Sequence, residues 1–142
     1  MKLTWLLICI PLPALAWEFS PLPLCTLSHD TEDAQLVITH DPRVPEYRLD
    51  LALTGAPWAA SPSFGMTFQG GAALTIGTSR HMIDGSNLQV RDQGFGNVLN
   101  GLEYNSTATA FTEQQTVTFS LDGAAEPVRA FKSCTEDTQV VS

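Results

Sequence analysis

Apolar and polar residues alternate along most of this chain. The alternation is clearest in residues 46–53, where Arg48 and Asp50 lie between large apolar residues. A period of two places the apolar side chains on one face of a β-strand. Shorter segments share this period, and they cover residues 24–29, 34–40, 63–69, 73–77, 87–91 and 115–121. Short strands at regular spacing predict a mainly β fold, an antiparallel β-sandwich or barrel of about seven or eight strands.

Two pairs of these segments are predicted to form hairpins. Residues 24–29 and 34–40 flank a short acidic turn, and the second segment is rich in β-branched residues. Gly70 and Gly71 separate the next pair and supply the conformational freedom of a tight turn. The intervening loop contains Trp58, which we expect to pack over one open end of the core.

Residues 94–102 interrupt the strand pattern. Their apolar residues recur at helical spacing, but the segment also contains three glycines. Each glycine in a helix costs about 1 kcal/mol relative to alanine. We therefore expect only one or two helical turns, crossing an end of the sheet.

The C-terminal part of the chain carries a stronger helical signal. Asp122 is a favourable N-cap, and Ala124, Val128 and Phe131 recur at the spacing of one narrow apolar stripe. The sequence predicts a short helix that ends near the last cysteine. Residues 135–142 are predicted to form a flexible tail.

The N-terminus has the three parts of a secretory signal peptide. Lys2 precedes an apolar run, and small residues stand at both recognition positions of a cleavage site between Ala16 and Trp17. Two prolines interrupt the run well before the roughly 20 apolar residues that a membrane span needs. The predicted organisation is a signal peptide of residues 1–16, one β-rich domain of residues 17–134 and the tail.

The chain is acidic, and this narrows the choice of partners. Its net charge is −8, from fifteen acidic and seven basic residues, and removal of Lys2 with the signal peptide makes it −9. Nucleic acid is therefore not an expected partner, because phosphate backbones require clustered lysine and arginine. No later segment is long and apolar enough to span a membrane after processing. The prediction is a soluble periplasmic or secreted protein.

The cysteines support the same compartment. Cys9 lies inside the predicted signal peptide, so Cys25 and Cys134 are the two that remain. Export would place them in an oxidising environment, where a disulfide between them is favoured. The alternatives are two free thiols or a redox couple, but a catalytic couple usually has a C-x-x-C spacing, which is absent.

The sequence contains no complete cofactor motif. Gly94, Gly96 and Gly101 resemble part of a dinucleotide fingerprint, but the required glycine at position 99 is Leu99. The chain contains neither a phosphate-binding G-x-x-x-x-G-K-[ST] loop nor a G-x-S-x-G nucleophile motif. The sequence therefore predicts no bound cofactor.

The three histidines are candidates for a reactive centre. His29 and His40 could face each other across the first hairpin and, with Asp30 or Asp41, bind a metal. His81 stands alone beside an arginine. No H-E-x-x-H spacing supports zinc, so the sequence assigns no metal site and no catalytic residue. A small hydrolase or metal-dependent enzyme using these histidines remains the alternative hypothesis.

A candidate interaction surface is centred on the glycine-rich segment of residues 94–104. Glycine lets such a loop approach a partner closely, and the side chains around it offer amides, a phenol and a cation. The opposing interpretation is that the segment only plugs the sandwich. The candidate residues are Arg80, His81, Phe95, Asn97, Asn100 and Tyr104. Residues 105–107 also match the N-glycosylation sequon, which matters only in a eukaryotic secretory pathway.

Three segments together resemble a known group of proteins. They are WEFSPLPLCTLSH at residues 17–29, GFGNVLNGLEYN at residues 94–105 and LDGAAxxVRAFxxC at residues 121–134. This chain resembles a family of small exported proteins from marine alphaproteobacteria of the Rhodobacterales type. The resemblance implies an exported protein of bacterial origin and supplies no catalytic residues.

Members of that family sometimes carry the label of the helicase component of excinuclease ABC, which this sequence contradicts. The chain lacks a Walker A loop, is far too short for a helicase and is acidic. A fainter similarity runs to the invasion-associated locus B proteins, which are periplasmic and β-rich. It rests on the ending alone, a strand followed by Leu-x-Gly and a short helix.

The sequence favours a non-enzymatic exported β-domain that binds a protein or another envelope component. The alternative enzyme would require a histidine and a carboxylate to converge in a cleft. A third hypothesis, an inhibitor of basic cell-wall hydrolases, rests on the negative charge and small size of the chain.

Overall fold

The computed structural model describes residues 16–139, and these form ten strands and two helices. The strands are β1 (Glu18–Ser20), β2 (Cys25–Asp30), β3 (Ala34–Asp41), β4 (Glu46–Leu53), β5 (Phe64–Gln69), β6 (Leu74–Thr78), β7 (Met82–Asp84), β8 (Asn87–Asp92), β9 (Thr107–Phe111) and β10 (Thr116–Ser120). The helices are α1 (Gly96–Glu103) and α2 (Ala125–Gln139).

Two antiparallel sheets face each other in a sandwich-like arrangement, which confirms the predicted fold class. The larger sheet has the order β1-β2-β3-β4-β8-β7, and the smaller has the order β10-β9-β5-β6. The described part of the chain has more strands than predicted, partly because β1 and β7 are only three residues long. Such short edge strands carry too little periodicity to be recognised from sequence. The predicted cleavage site lies just before β1, and the rest of the predicted signal peptide lies outside the described residues.

Both predicted hairpins are present. Leu27 on β2 pairs with Ile38 on β3, and Met66 on β5 pairs with Ile76 on β6. Gly70 has a φ of 105°, a left-handed conformation that favours glycine, at the turn between β5 and β6. The turn residues and the hydrophobic period therefore set both registers, as expected.

The core lies between the two sheets and follows the predicted alternation. Leu36, Ile38 and Leu51 of the larger sheet are fully buried, as are Phe68 and Phe119 of the smaller sheet. Trp58 is also buried, and its Nε1–H donates a hydrogen bond of 3.0 Å to the carbonyl of Leu51. This places Trp58 against β4, in agreement with its predicted role as a cover for the core.

The helix α2 is longer than predicted and begins later. Asp122 is not its N-cap, because the first helical bond runs from the Val128 N–H to the Ala124 carbonyl. Asp122 lies instead in the turn before the helix, where Gly123 has a φ of 75°. At the other end the helix continues through Gln139, so the predicted flexible tail is wrong for residues 135–139.

The reason for the longer helix is visible in its buried face. Ala124, Val128, Phe131 and Thr135 are all buried, so the apolar stripe runs one turn further than the hydrophobic residues alone suggest. The Thr135 hydroxyl donates to the Lys132 carbonyl at 2.9 Å, which lets a polar residue occupy that position. The sequence of residues 135–139 contains no glycine or proline that would end the helix earlier.

A disulfide joins Cys25 on β2 to Cys134 on α2, the pairing that the sequence predicts. The two Cα atoms are 6.0 Å apart, and 109 positions separate the residues along the chain. The bond fastens α2 to the larger sheet beside β1 and β2. Neither helix within residues 16–139 is long and apolar enough to cross a membrane.

The short helix α1 confirms the one or two helical turns expected for residues 94–102. It packs closely on the smaller sheet, because a Cβ at Gly101 would lie 2.4 Å from the ring of Phe68. Just after it, the Asn105 amide donates to the carbonyls of Ala72 and Gly101 and accepts a bond from the Gly71 N–H. Asn105 therefore connects α1 to the β5–β6 turn, and both hydrogen bonds that it donates come from its side-chain nitrogen.

Candidate functional site

A groove of about 450 Å³ opens between the two sheets at the β6 side of the sandwich. One wall comes from β5 and β6, the other from β4 and β8, and the segment leading into α1 closes one end. We call it the inter-sheet groove. Its apolar lining consists of Leu49, Phe64, Met66, Ile76, Val90, Phe95 and Val98. The volume and the apolar walls are typical of small-ligand sites, which span about 300 to 1,000 Å³.

The positions of the strands explain why the groove exists. β6 is the outermost strand of the smaller sheet, so no further strand of the described chain covers the inner face of the larger sheet beyond it. Ile76 and Val90 face the core from opposite sheets but remain only half-buried. Large apolar side chains that point inward without being covered mark a binding surface more often than scattered exposed ones do.

Charged and polar side chains stand at the rim of this apolar groove. Arg80 follows β6 and reaches across to Asp92 at the end of β8, with 3.6 Å between the guanidinium and carboxylate. The Arg80 backbone N–H donates to the Thr78 hydroxyl at 3.0 Å, which shapes the loop that carries it. Both side chains of the ion pair remain well exposed, at 76% for Arg80 and 46% for Asp92. The pair bridges the rim without closing it.

The N-terminal end of α1 also borders the inter-sheet groove. Phe95 is the N-cap residue, and the first turn that follows it carries no acidic residue in the described structure. Phe95 itself is buried and stacks on Tyr47, with ring centroids 5.4 Å apart. Asn97 is exposed beside it. The rim here has the positive end of a short helix dipole and an exposed amide side chain.

The predicted interaction surface is therefore divided by the structure. Arg80, Phe95 and Asn97 line the inter-sheet groove. Asn100 and Tyr104 instead lie beside α2, where the Lys132 ammonium donates to the Asn100 amide oxygen at 2.7 Å. The same ammonium lies 5.3 Å from the centre of the Tyr104 ring. These two residues belong to a contact between helices, so the six predicted residues do not form one surface.

That helix contact is built around Glu103, whose side chain is only 4% exposed. Its carboxylate lies 2.6 Å from the Lys132 ammonium and 3.6 Å from the Arg129 guanidinium. Burial alone would raise the pKa of Glu103, but the hydrogen bond and charge of Lys132, with Arg129, hold the pKa below its usual value. Glu103 therefore stays ionised and joins α1 to α2.

His81 supports the wall of the groove and does not project into it. Its Nε2 lies 2.9 Å from the Ser61 carbonyl, which can only accept, so this nitrogen carries the hydrogen. The ring also contacts Phe64, with centroids 6.3 Å apart. We conclude that His81 supports the loop before β5, behind the groove wall.

The structure does not bring His29 and His40 together, which corrects the expectation that they face each other. His40 pairs across the hairpin with Cys25, whereas His29 pairs with Leu36 at the other end. Both are buried, and His29 stacks on Trp17 with ring centroids 4.4 Å apart. Within residues 16–139 no group of three histidine, cysteine, aspartate or glutamate residues could hold a metal ion.

Several groove residues carry no distinctive signal in the sequence. Thr78, Val90 and Asp92 sit near the ends of ordinary strands, and their local patterns resemble those of any half-exposed strand. Only the pairing order of the strands brings them opposite Arg80 and Phe95. The chain matches no protein-family model, no curated protein and no solved structure.

Proposed function

We propose that this protein is an exported, non-enzymatic binding protein and that its ligand enters the inter-sheet groove. The observation that carries this proposal is the apolar groove of about 450 Å³, which also collects three of the sequence-predicted interaction residues at one place. Export is supported by the signal-like sequence of residues 1–16 and by the disulfide, which oxidising compartments favour. The resemblance to small exported proteins agrees with this compartment.

The groove suits an apolar ligand because its walls are already formed by rigid strands. Leu49 and Met66 at its base are almost fully buried, so a ligand would meet a packed floor. Ile76 and Val98 higher on the walls are half-buried, and a ligand would complete their burial. Each square ångström of apolar surface removed from water contributes about 25 cal/mol. A preformed site avoids much of the cost of ordering a binding surface.

An uncharged apolar dye tests this proposal. N-phenylnaphthylamine, which fluoresces strongly in apolar surroundings, is titrated into the oxidised protein that begins at Trp17. Val98→Trp should fill the inter-sheet groove and abolish the fluorescence increase. Val37→Trp is the matched control, because Val37 is a half-buried valine on the outer face of β3. Circular dichroism confirms that both variants fold.

The expected result is saturable dye binding by the wild type and by Val37→Trp, with none by Val98→Trp. If the folded wild type binds no dye, or if Val98→Trp binds it as well as the control, the groove is not a ligand site.

A further inference from the structure

We propose that the ligand of the inter-sheet groove is an amphiphile, an alkyl or acyl chain that ends in a carboxylate, with its head beside Arg80. This inference rests on the proposed function and adds the chemistry of the ligand. In this arrangement the apolar walls of the groove contact the alkyl or acyl chain of the ligand, and the rim at the β6–β7 loop contacts its charged end.

The distribution of charge around the groove supports an anionic head. The chain carries a net charge of −8, yet two arginines and a single aspartate are the charged residues of the described chain that line this groove. Arg80 reaches over the rim. The Arg91 side chain lies on the outer face of β8, because Arg91 follows the inward-facing Val90; there its guanidinium contacts the Gln89 amide oxygen at 2.8 Å and the Glu46 carboxylate at 3.7 Å. Arg80 is therefore the cation whose exposed side chain stands at the rim of the inter-sheet groove, where a carboxylate head could reach it.

The ion pair between Arg80 and Asp92 is weak enough for a ligand to replace it. Asp92 lies 3.6 Å away, and both side chains are exposed to solvent. Exposed ion pairs of this kind contribute little to stability, because water screens the charges and long side chains lose freedom when they pair. A ligand carboxylate that arrives with its chain already held by the groove can replace Asp92 or share the guanidinium with it. Arginine favours this, since its planar fork matches a carboxylate.

The apolar part of the site has the complementary property. Phe64, Ile76 and Val98 contribute side chains from three different elements, and none of these side chains is ionisable. An unbranched chain could lie along such a surface while its head stays at the wet rim. A ligand with charges along its length would lose their hydration without finding partners, which is costly. The arrangement therefore favours one charged end and one apolar chain.

The test compares two probes that differ only at the head, decanoate and decan-1-ol, each measured by displacement of N-phenylnaphthylamine below its aggregation concentration. Arg80→Gln should weaken decanoate binding about fivefold, the effect expected for one exposed ion pair, and leave decan-1-ol unchanged. Asp92→Asn should strengthen decanoate binding, because it removes the competing carboxylate. Arg43→Gln is the control, since Arg43 is an equally charged residue of the β3–β4 turn that does not line the groove and has 84% of its side chain exposed.

If wild type and Arg80→Gln bind decanoate equally, or if decan-1-ol loses as much affinity as decanoate, the headgroup assignment is overturned while the apolar groove stands. If neither probe displaces the dye from the folded wild type, the amphiphile assignment also fails. Dye binding by the wild type and the Val98→Trp variant then determines by itself whether the groove is a ligand site.

A second arm distinguishes the two sources of such an amphiphile, a membrane and free solution. Phosphatidylcholine vesicles loaded with decanoate are mixed with the wild type and with Arg80→Gln, and the decanoate that remains with the protein after the vesicles are removed is measured. Transfer to the wild type that exceeds transfer to Arg80→Gln supports the site and a membrane source. Equal transfer to both proteins contradicts the role of Arg80.

Discussion

Among the polar side chains buried in the described part of the core, that of His40 has the smallest exposed fraction. It is 1% exposed, and its ring centroid lies 4.4 Å from that of Tyr47. Its Nδ1 has no hydrogen-bond partner within residues 16–139. Burial lowers the pKa of His40 below 6.5, and the charge of neighbouring Asp41 opposes this only in part. The folded protein therefore prefers the neutral imidazole.

The lowered pKa of His40 gives a prediction with a defined sign. Because the unfolded chain binds the His40 proton at higher pH than the folded chain does, the free energy of unfolding should fall as pH drops below about 6.5. The slope for one group approaches about 1.4 kcal/mol per pH unit. Urea unfolding between pH 5 and pH 8 measures it, and His40→Gln should show a smaller slope than the wild type.

Thr39→Gln is the matched control for this experiment, because Thr39 is the adjacent residue on the outer face of β3 and carries no titratable group. It should keep the wild-type slope. Equal slopes for the wild type and His40→Gln would show that His40 does not couple folding to pH.

Among the elements, the two helices are joined by one buried carboxylate. The depressed pKa of Glu103 means that its ionised form stabilises the fold at neutral pH, and this contribution is lost as pH falls through the folded-state pKa. Glu103→Gln should lower the free energy of unfolding by about 2 kcal/mol at pH 7, because Lys132 and Arg129 lose a charged partner. Glu126→Gln, at an exposed position in the first turn of α2, should cost far less.

Urea denaturation of the two variants checks this, and their difference should shrink in acid, where Glu103 is protonated in the wild type too. Equal losses for Glu103→Gln and Glu126→Gln would mean that the buried contact adds nothing beyond surface electrostatics.

The helices also show how far local pattern carries a prediction. The spacing of Val128 and Phe131 located α2. Its predicted start was wrong because Gly123 has a left-handed φ and the first helical bond ends at the Ala124 carbonyl, and its predicted end was wrong because the surrounding fold buries Thr135. The local sequence around a threonine at the end of an apolar stripe does not indicate that the threonine is buried. Its hydroxyl becomes acceptable there only because the helix supplies a carbonyl partner.

For the molecule as a whole, the disulfide connects the first core strand to the last helix. In the chain-entropy model, closing a loop of 109 positions contributes about 4 to 5 kcal/mol, mainly by restricting the unfolded chain. The Cys25→Ala, Cys134→Ala double variant should therefore unfold at much lower urea concentration than the oxidised wild type. Reductant should destabilise the wild type and leave the double variant unchanged. A reductant effect of the same size on both proteins would contradict this account.

The candidate site shows more clearly that a local sequence pattern cannot predict which residues share a surface. Residues 94–104 stood out in the sequence because glycine, amide and aromatic residues are concentrated there. The structure divides that segment, since successive residues of a helix point in different directions. Asn97 borders the inter-sheet groove, whereas Asn100 lies against Lys132. The other groove wall comes from strands that are distant along the chain.

Local sequence features were enough to specify the class of fold, the two hairpins, the disulfide pairing and the approximate position of both helices. These depend on hydrophobic period, turn residues and the number of cysteines, all of which act over short stretches or by elimination. The assembled fold was needed to establish that β6 ends its sheet opposite β8, that Arg80 meets Asp92 and that Glu103 is buried between helices. Those features arise from contacts between residues far apart in the chain, and no local pattern encodes which distant strands leave a groove between them.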